Sequence, residues 1–258
     1  MSKRGNRQLF PVITQSFLHR VRNQPDRMAY YTKQGAKWEG VTWKQYFDNI
    51  KALSLGLMDM GLKPGENVCL ISNTRLEWAA ADMAIVGAKA VTVPVYASNT
   101  ADETAYIVNH CEARFIFVED AKQLEKILAV RSQLPKIEKI IVFALPGTPE
   151  TAKQKDVLSL TALRELGQRA TNSDRFEKNL MATTPKDIMT ICYTSGTTGV
   201  PKGVVLNFDN LMSILEDVDT VMGEHVGESD TILSFLPISH IFGKVESMAS
   251  YHFGWTMY

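Results

Sequence analysis

The sequence lacks paired cysteines, net charge and long apolar runs, and each absence excludes a class of protein. Its three cysteines, Cys69, Cys111 and Cys192, are far apart and show no metal-type spacing, so neither a disulfide framework nor a zinc site is predicted. Lysine plus arginine equals aspartate plus glutamate at 28 each, which gives no electrostatic reason to expect a nucleic acid partner. No apolar run approaches the ~18 residues of a bilayer-spanning helix.

Two common sequence signatures are also missing. The basic residues 1–7 are not followed by a secretory apolar segment, because Pro11, Gln15 and His19 interrupt the next stretch. No G-x-G-x-x-G motif follows the first predicted strand of the parallel region, at residues 68–72, so a dinucleotide site is disfavoured. With few cysteines and no secretory pattern, a cytoplasmic protein is expected.

Short apolar runs alternate with helical patterns between residues 62 and 145. The predicted strands are residues 68–72, 90–96, 114–118 and 137–143, and the predicted helices are residues 74–86, 100–110 and 122–134. Strands separated by helical crossovers pair in parallel with right-handed connections. This βαβαβ unit therefore predicts an α/β fold, a doubly wound and mostly parallel sheet with flanking helices.

The predicted elements outside this unit are simpler. They are a helix at 9–24, a hairpin at 28–32 and 37–41, a helix at 42–61, a surface connection over 146–187 with a short helix near 160–166, a helix at 210–221 and strands at 231–235 and 253–258. The last strand is expected to leave an uncovered apolar sheet edge. Boxes of the form Ser/Thr-x-x-Glu/Gln that begin at Thr42, Thr74 and Thr100 predict three helix caps.

Residues 193–204, here called the phosphate loop, lie between two predicted strands and have the composition of an anion site. Their sequence is Tyr-Thr-Ser-Gly-Thr-Thr-Gly-Val-Pro-Lys-Gly-Val. The glycines allow the backbone to approach a ligand, while the hydroxyls and Lys202 add donors and a cation, so polyphosphate binding is predicted. A glycine-rich turn without function is the alternative. An NTPase loop of the form G-x-x-x-x-G-K-[ST] is disfavoured, because Gly203 follows the lysine.

The phosphate loop resembles the signature of the AMP-forming adenylating enzymes, which include acyl-CoA synthetases, luciferases and peptide-synthetase adenylation domains. Residues 236–242, Leu-Pro-Ile-Ser-His-Ile-Phe and here called the histidine segment, are similar to the L-P-x-x-H motif of the same family. The form with Ile-Phe after the histidine is most similar to long-chain fatty acyl-CoA synthetases. A lone histidine is more often structural, but its place in this motif favours a functional role for His240.

The resemblance implies a two-step ligation in which ATP activates a carboxylic acid and coenzyme A then takes the acyl group. It implies that the β- and γ-phosphates of ATP are held by Ser195, Gly196, Thr197, Thr198, Gly199 and Lys202. Thr194 would lie at the nucleotide near Mg²⁺, and His240 would be the catalytic residue beside the acyl-adenylate. For the complete enzyme, the resemblance allows a homodimer and peripheral contact with the inner face of a membrane.

The same resemblance covers residues 1–258 as the N-terminal part of an adenylate-forming domain. The Y-G-x-T-E-like segment, the ribose-binding aspartate, the hinge and the C-terminal domain with its catalytic lysine are not found, so the chain alone is expected to be inactive. Many relatives also have Ser/Thr-His-x-Asn after the loop, whereas residues 207–210 here are Asn-Phe-Asp-Asn. Two alternatives stay open: an amino-acid or aryl-acid adenylating enzyme, and a short non-catalytic chain that binds a nucleotide or a partner.

Overall fold

Two β-sheets and the helices packed on them make up a computed structural model that describes residues 8–144, 154–195 and 199–258. Its helices are α1 (Ile13–Asn23), α2 (Trp43–Asp59), α3 (Leu76–Gly87), α4 (Ala101–His110), α5 (Ala121–Ala129), α6 (Leu160–Gln168), α7 (Arg175–Met181), α8 (Phe208–Met222) and α9 (Ile241–Phe253). Its strands are β1 (Met28–Gln34), β2 (Lys37–Thr42), β3 (Asn67–Ile71), β4 (Val91–Val95), β5 (Phe115–Val118), β6 (Lys139–Val142), β7 (Val157–Ser159), β8 (Ile188–Ser195), β9 (Pro201–Asn207), β10 (Thr231–Ile232) and β11 (Thr256–Met257). Within these ranges, no helix has the length and apolarity needed to cross a bilayer.

The larger sheet has the strand order β7-β6-β5-β3-β4-β8-β9 and is parallel except for β9, which runs antiparallel to β8. Successive residues of a strand point to opposite faces. In β3, Val68 and Leu70 accordingly enter the core formed with α2 and α3, while Cys69 and Ile71 enter the core formed with α4 and α5. Because both faces are buried under helices, the predicted doubly wound, mostly parallel sheet is confirmed.

The smaller sheet has the order β10-β11-β1-β2 and contains the predicted hairpin of β1 and β2. The expectation of an uncovered edge at residues 253–258 is wrong, because β11 lies between β10 and β1 and pairs with both. Helix α9 continues to Phe253, and Gly254 ends it with a φ of 78°, a left-handed conformation that favours glycine. The strand predicted at 231–235 is also shorter, with only Thr231–Ile232 paired.

Segment 146–187 does more than connect two parts of the chain. In its described part, β7 extends the larger sheet, and α7 places Phe176 and Leu180 in the core. Helix α6 approaches α2 so closely that a Cβ on Gly167 would lie 1.8 Å from the carbonyl oxygen of Ala52. The segment therefore supports the helical layer as well as linking β6 to β8.

One predicted helix cap is wrong, and the correction concerns the histidine segment. The boxes at Thr42 and Thr100 cap α2 and α4 as predicted. Helix α3 instead begins after Arg75 without a side-chain cap. The Thr74 hydroxyl donates to the carbonyl oxygen of Leu236 at 2.7 Å and accepts from the N–H of Ile238 at 3.1 Å. Thr74 therefore holds the histidine segment rather than a helix end.

Candidate functional site

The phosphate loop joins β8 to β9 at the tip of an antiparallel hairpin. Thr194 lies opposite Lys202, one residue before Ser195 ends β8. Directly opposite residues on paired strands share a face, so the exposed Thr194 hydroxyl and the exposed Lys202 ammonium are on the same side of the hairpin. Gly199 has a φ of 80°, as expected for a glycine that turns the chain. The predicted ligand residues Gly196, Thr197 and Thr198 lie outside the described residues.

Helix α4 holds both ends of this loop. The Tyr106 hydroxyl donates to the carbonyl oxygen of Pro201 at 3.0 Å. One turn further along, His110 Nδ1 shares a 2.7 Å hydrogen bond with the Tyr193 hydroxyl. Burial raises the pKa of Tyr193 well above its usual range, so its hydroxyl remains protonated at neutral pH. The two strands that carry the loop are thus tied to one rigid helix.

His240 begins α9 and acts as its N-terminal cap. Its Nδ1 accepts a 3.2 Å hydrogen bond from the N–H of Phe242, which satisfies one of the free amides of the first turn. The ring is exposed, and the capping bond leaves Nε2 for another partner. The segment before it is fixed by Thr74 and by Ser239, whose Oγ lies 3.5 Å from the carbonyl oxygen of Ser72. The hydrogen bond from the Phe242 N–H therefore sets the orientation of the His240 imidazole.

Strand register brings the phosphate loop and the histidine segment to one edge of the larger sheet. Thr190 of β8 pairs with Thr92 of β4, which pairs with Val68 of β3. Ser195 ends β8, whereas Ser72 and Thr74, which contact the histidine segment, follow the end of β3. One strand, β4, lies between β8 and β3, and all three run parallel. This is the carboxyl edge of the parallel strands, where ligands bind in such sheets.

Lys202 has no carboxylate partner within the described ranges, so its charge is available to a ligand. The structure also contains no group of three or more histidine, cysteine, aspartate or glutamate side chains suited to a metal ion in the part that it describes. Mg²⁺ prefers oxygen ligands and usually combines one or two protein groups with substrate phosphates. The Thr194 hydroxyl fits that minor role, but it does not make a metal site by itself.

A buried ion pair that involves Lys244, two residues after the histidine segment, was not predicted from the sequence. Lys244 of α9 bonds Asp82 of α3 through Nζ and Oδ1 at 2.6 Å, and its ammonium lies 5.6 Å from the Trp78 ring centroid. Both charged side chains are buried. One sequence signal was available, because Asp82 is the only charge in the run from Trp78 to Val86. The ion pair links helix α9, whose N-terminal cap is His240, to helix α3, which packs on the larger sheet.

A cavity of about 690 Å³ opens beside the histidine segment, between the two sheets. Its walls include Tyr31, Trp38, Arg75, Glu77, Ile238 and Tyr258. Thr194, Lys202 and His240 are not among the residues that line it. The cavity therefore adjoins the predicted site without containing its described residues.

The residues at the position of the Ser/Thr-His-x-Asn pattern form the start of helix α8. Asn207 and Asn210 form a reciprocal capping box at the start of α8, in which each side-chain oxygen accepts from the other residue's backbone N–H at 3.0 Å. An asparagine at the third helical position serves the same purpose as the usual Glu or Gln. The retained Asn210 therefore stabilises the helix that follows the phosphate-loop hairpin.

Comparisons with known proteins find relatives over most of this chain. The Xenopus laevis long-chain-fatty-acid–CoA ligase ACSBG2 is 31% identical over 235 residues, which cover 90% of this chain and 31% of the relative. The chain spans about a third of the length of the curated relatives that it matches first. Activity, substrates and partners of the whole protein are therefore taken up below as proposals.

Two solved structures share the fold. An inhibitor-bound N-terminal domain of FACL13 from Mycobacterium tuberculosis superposes with a TM-score of 0.76 at 23% identity, covering 96% of this chain and 56% of that one. A fatty acyl-adenylate ligase from L. pneumophila, in complex with acyl adenylate and pyrophosphate, superposes with a TM-score of 0.73 at 20% identity, covering 96% and 39%. The family described as "AMP-binding enzyme" matches residues 17–258. Because that match covers nearly the whole chain, this protein belongs to the AMP-binding enzyme family.

Proposed function

We propose that this chain is part of an AMP-forming acid–thiol ligase that activates a long-chain fatty acid with ATP and transfers it to coenzyme A. The observation that carries the proposal is the placement of the phosphate loop and His240 at one carboxyl edge of a parallel sheet. Support for the fatty acid comes from the Ile-Phe form of the histidine segment and from the long-chain-fatty-acid–CoA ligase relative.

The proposed reaction has two steps. The carboxylate attacks the α-phosphorus of ATP and pyrophosphate leaves; the thiol of coenzyme A then attacks the acyl carbon and AMP leaves. The physical difficulty of the first step is that an anion must approach a polyanion. Preorganised donors at the developing charge reduce that repulsion. The exposed ammonium of Lys202, which has no carboxylate partner among the described residues, and the hydroxyls and N–H groups of the phosphate loop are suited to that task.

Each predicted site residue has a proposed role. The ligands of the β- and γ-phosphates are Ser195, Gly196, Thr197, Thr198, Gly199 and Lys202. His240 would contact the acyl-adenylate through Nε2, because its other ring nitrogen, Nδ1, accepts the hydrogen bond that caps α9. Mg²⁺ would arrive with the triphosphate and be held mainly by phosphate oxygens, with Thr194 beside it. Bound there, the ion would neutralise charge on the leaving pyrophosphate.

Several parts of the complete reaction are proposed to lie outside this chain. The resemblance places the adenine and ribose contacts, the hinge and a catalytic lysine in later segments, so the 258-residue chain is proposed to be inactive alone. Lys202 belongs to the phosphate loop and is distinct from that lysine. A homodimer, peripheral membrane contact and a cytoplasmic location of the complete enzyme remain predictions.

The test uses the complete protein that contains this chain and measures acid-dependent exchange of labelled pyrophosphate into ATP. Hexadecanoate should support exchange, whereas benzoate and free amino acids should not. Lys202→Ala should lower exchange about 10²- to 10³-fold, the usual loss when one preorganised group at a developing anion is removed. Thioester formation from preformed acyl-adenylate should be largely retained, because pyrophosphate has already left.

Lys63→Ala is the matched control, since Lys63 is an exposed lysine at the opposite, amino edge of the same sheet. It should exchange pyrophosphate like the parent. Both variants should change the free energy of unfolding by no more than about 0.5 kcal/mol. If Lys202→Ala lowered the rates of pyrophosphate exchange and thioester formation equally, the role of Lys202 would be structural. Exchange with aryl or amino acids would favour the second candidate substrate class, and no exchange with any acid would favour a non-catalytic chain.

A further inference from the structure

Two cysteines that are far apart in the sequence meet in the core beside helix α4. Cys69 of β3 and Cys111, the residue that follows α4, are separated by 42 positions, yet their Sγ atoms are 3.7 Å apart. Both are free and buried. Their spacing in the sequence does not reveal this thiol pair.

The backbone around the two thiols is held by hydrogen bonds from a single residue. Asn67 Nδ2 donates to the carbonyl oxygen of Cys111 at 2.6 Å, and the Asn67 carbonyl oxygen accepts from the N–H of Arg114 at 2.9 Å. Asn67 and Cys69 are two positions apart in β3, so their side chains lie on the same face of the sheet. The turn that carries Cys111 is therefore fixed on the face where Cys69 points.

The two thiols differ in their reactivity. The hydrogen bond between the two thiols lowers the pKa of Cys111 and raises the pKa of Cys69. Cys111 is also 6% exposed, whereas Cys69 is fully buried. Since the thiolate is the nucleophile, Cys111 is the sulfur that a small oxidant would meet first.

We propose that Cys69 and Cys111 are a redox modification site, at which hydrogen peroxide forms a reversible intrachain disulfide. The Cys111 thiolate attacks a peroxide oxygen, giving a sulfenic acid and, after protonation of the leaving oxygen, one molecule of water. The Cys69 sulfur then attacks Cys111 Sγ, the Cys69 proton and the hydroxyl group leave as a second water, and the S–S bond forms. The two sulfurs together supply the two electrons that reduce the peroxide.

Disulfide formation has a consequence for helix α4. Closing the gap from 3.7 Å to the ~2.05 Å of a disulfide requires about 1.7 Å of movement. Cys111 directly follows His110, whose Nδ1 contacts the hydroxyl of Tyr193, the first residue of the phosphate loop. Oxidation should therefore disturb the hydrogen bond between His110 and Tyr193. The thiol pair itself does not depend on the proposed ligase function.

The experiment treats the reduced full chain with hydrogen peroxide, blocks the remaining thiols and maps peptides without reduction. We expect a linked peptide pair containing Cys69 and Cys111, with Cys192 recovered in its alkylated form. Dithiothreitol should abolish the link. In NMR spectra, the ring signals of His110 should shift on oxidation, while those of His225, which follows the C-terminal end of α8, should not.

Cys192→Ser is the matched control, because it replaces another buried cysteine and should keep the link. Cys69→Ser and Cys111→Ser should each lose it, and mapping of the parent chain decides the question even if either variant fails to fold. The proposal is overturned by Cys111 sulfinic acid without a link, by links through Cys192, or by a link that forms only in denaturant. An unchanged His110 spectrum in the linked protein would overturn the coupling to the phosphate loop.

Discussion

Lys244 and Asp82 form an ion pair that is almost wholly removed from water and joins α9 to α3. Their Nζ and Oδ1 atoms are 2.6 Å apart, and the side chains are 1% and 4% exposed. The exposed pair of Lys44 and Asp48 has the same 2.6 Å separation, with side chains 60% and 55% exposed. The two pairs therefore differ mainly in burial, which makes one a control for the other.

We expect Asp82→Ala to destabilise the fold by about 3–5 kcal/mol, because it leaves the Lys244 ammonium buried without a partner. Replacing both residues, as in Asp82→Leu with Lys244→Met, should cost much less, since no unpaired charge remains. Asp48→Ala should cost less than about 1 kcal/mol. Urea unfolding measures all three, and equal losses in the buried and exposed pairs would contradict the prediction.

The close approach of α6 to α2 at Gly167 predicts a second stability effect. Gly167→Ala would place a Cβ 1.8 Å from the Ala52 carbonyl oxygen, so the helices must separate, at about 1–3 kcal/mol or more. Gly35→Ala is the control, because Gly35 has a φ of 61° but no atom within 4 Å of the added Cβ. Its cost should be only the backbone strain of about 1–2 kcal/mol. Urea unfolding measures both variants. If Gly167→Ala lowered the free energy of unfolding less than Gly35→Ala, the prediction would be wrong, because α2 and α6 would then tolerate the added methyl group.

The cap of α4 predicts a contribution to acid sensitivity. Glu103 accepts from the Thr100 N–H at 2.7 Å and from its hydroxyl at 3.0 Å, and these bonds lower the pKa of Glu103. Because the folded pKa lies below the unfolded value of about 4.3, the stabilisation is present above that value and is lost as pH falls through the folded pKa. Glu103→Gln should therefore flatten the fall in unfolding free energy below about pH 5.

The capping box at the start of α2, formed by Thr42 and the uncharged Gln45, is the control for this pH effect. Gln45 makes the same reciprocal bonds with Thr42 as Glu103 makes with Thr100. Gln45→Glu should make the fall in stability on acidification steeper, and Glu103→Gln should make it shallower. Urea unfolding at a series of pH values measures both slopes. Unchanged slopes in both variants would show that the boxes do not contribute to acid sensitivity.

The isolated chain should bind ATP weakly. The resemblance assigns only phosphate contacts to these residues, and each charge-assisted hydrogen bond is worth about 1.5–3 kcal/mol before the costs of ordering. We expect a Kd of about 1 mM or no detectable binding by calorimetry. Lys202→Ala should weaken any binding that is found, and Lys63→Ala should not. Micromolar affinity would contradict an incomplete nucleotide site and favour a nucleotide-binding function for the chain alone.

The fate of three similar motifs shows how far local sequence predicts this structure. Boxes at Thr42 and Thr100 form their caps because every partner lies within three residues. Thr74 has the same local pattern, yet its hydroxyl bonds Leu236 and Ile238, more than 160 residues away. A local motif predicts which bonds are available, but a distant segment competes for them once the chain has folded.

The sequence by itself determined the alternation of strand and helix, the parallel sheet and the residue types of the phosphate loop. Those features follow from apolar periodicity and residue type over short stretches. Only the tertiary structure decided that Cys69 contacts Cys111, that Lys244 contacts Asp82 and that the histidine segment packs against the residues that follow β3. The physical reason is that strand order and register set contacts between distant residues, and both depend on how all the layers pack together.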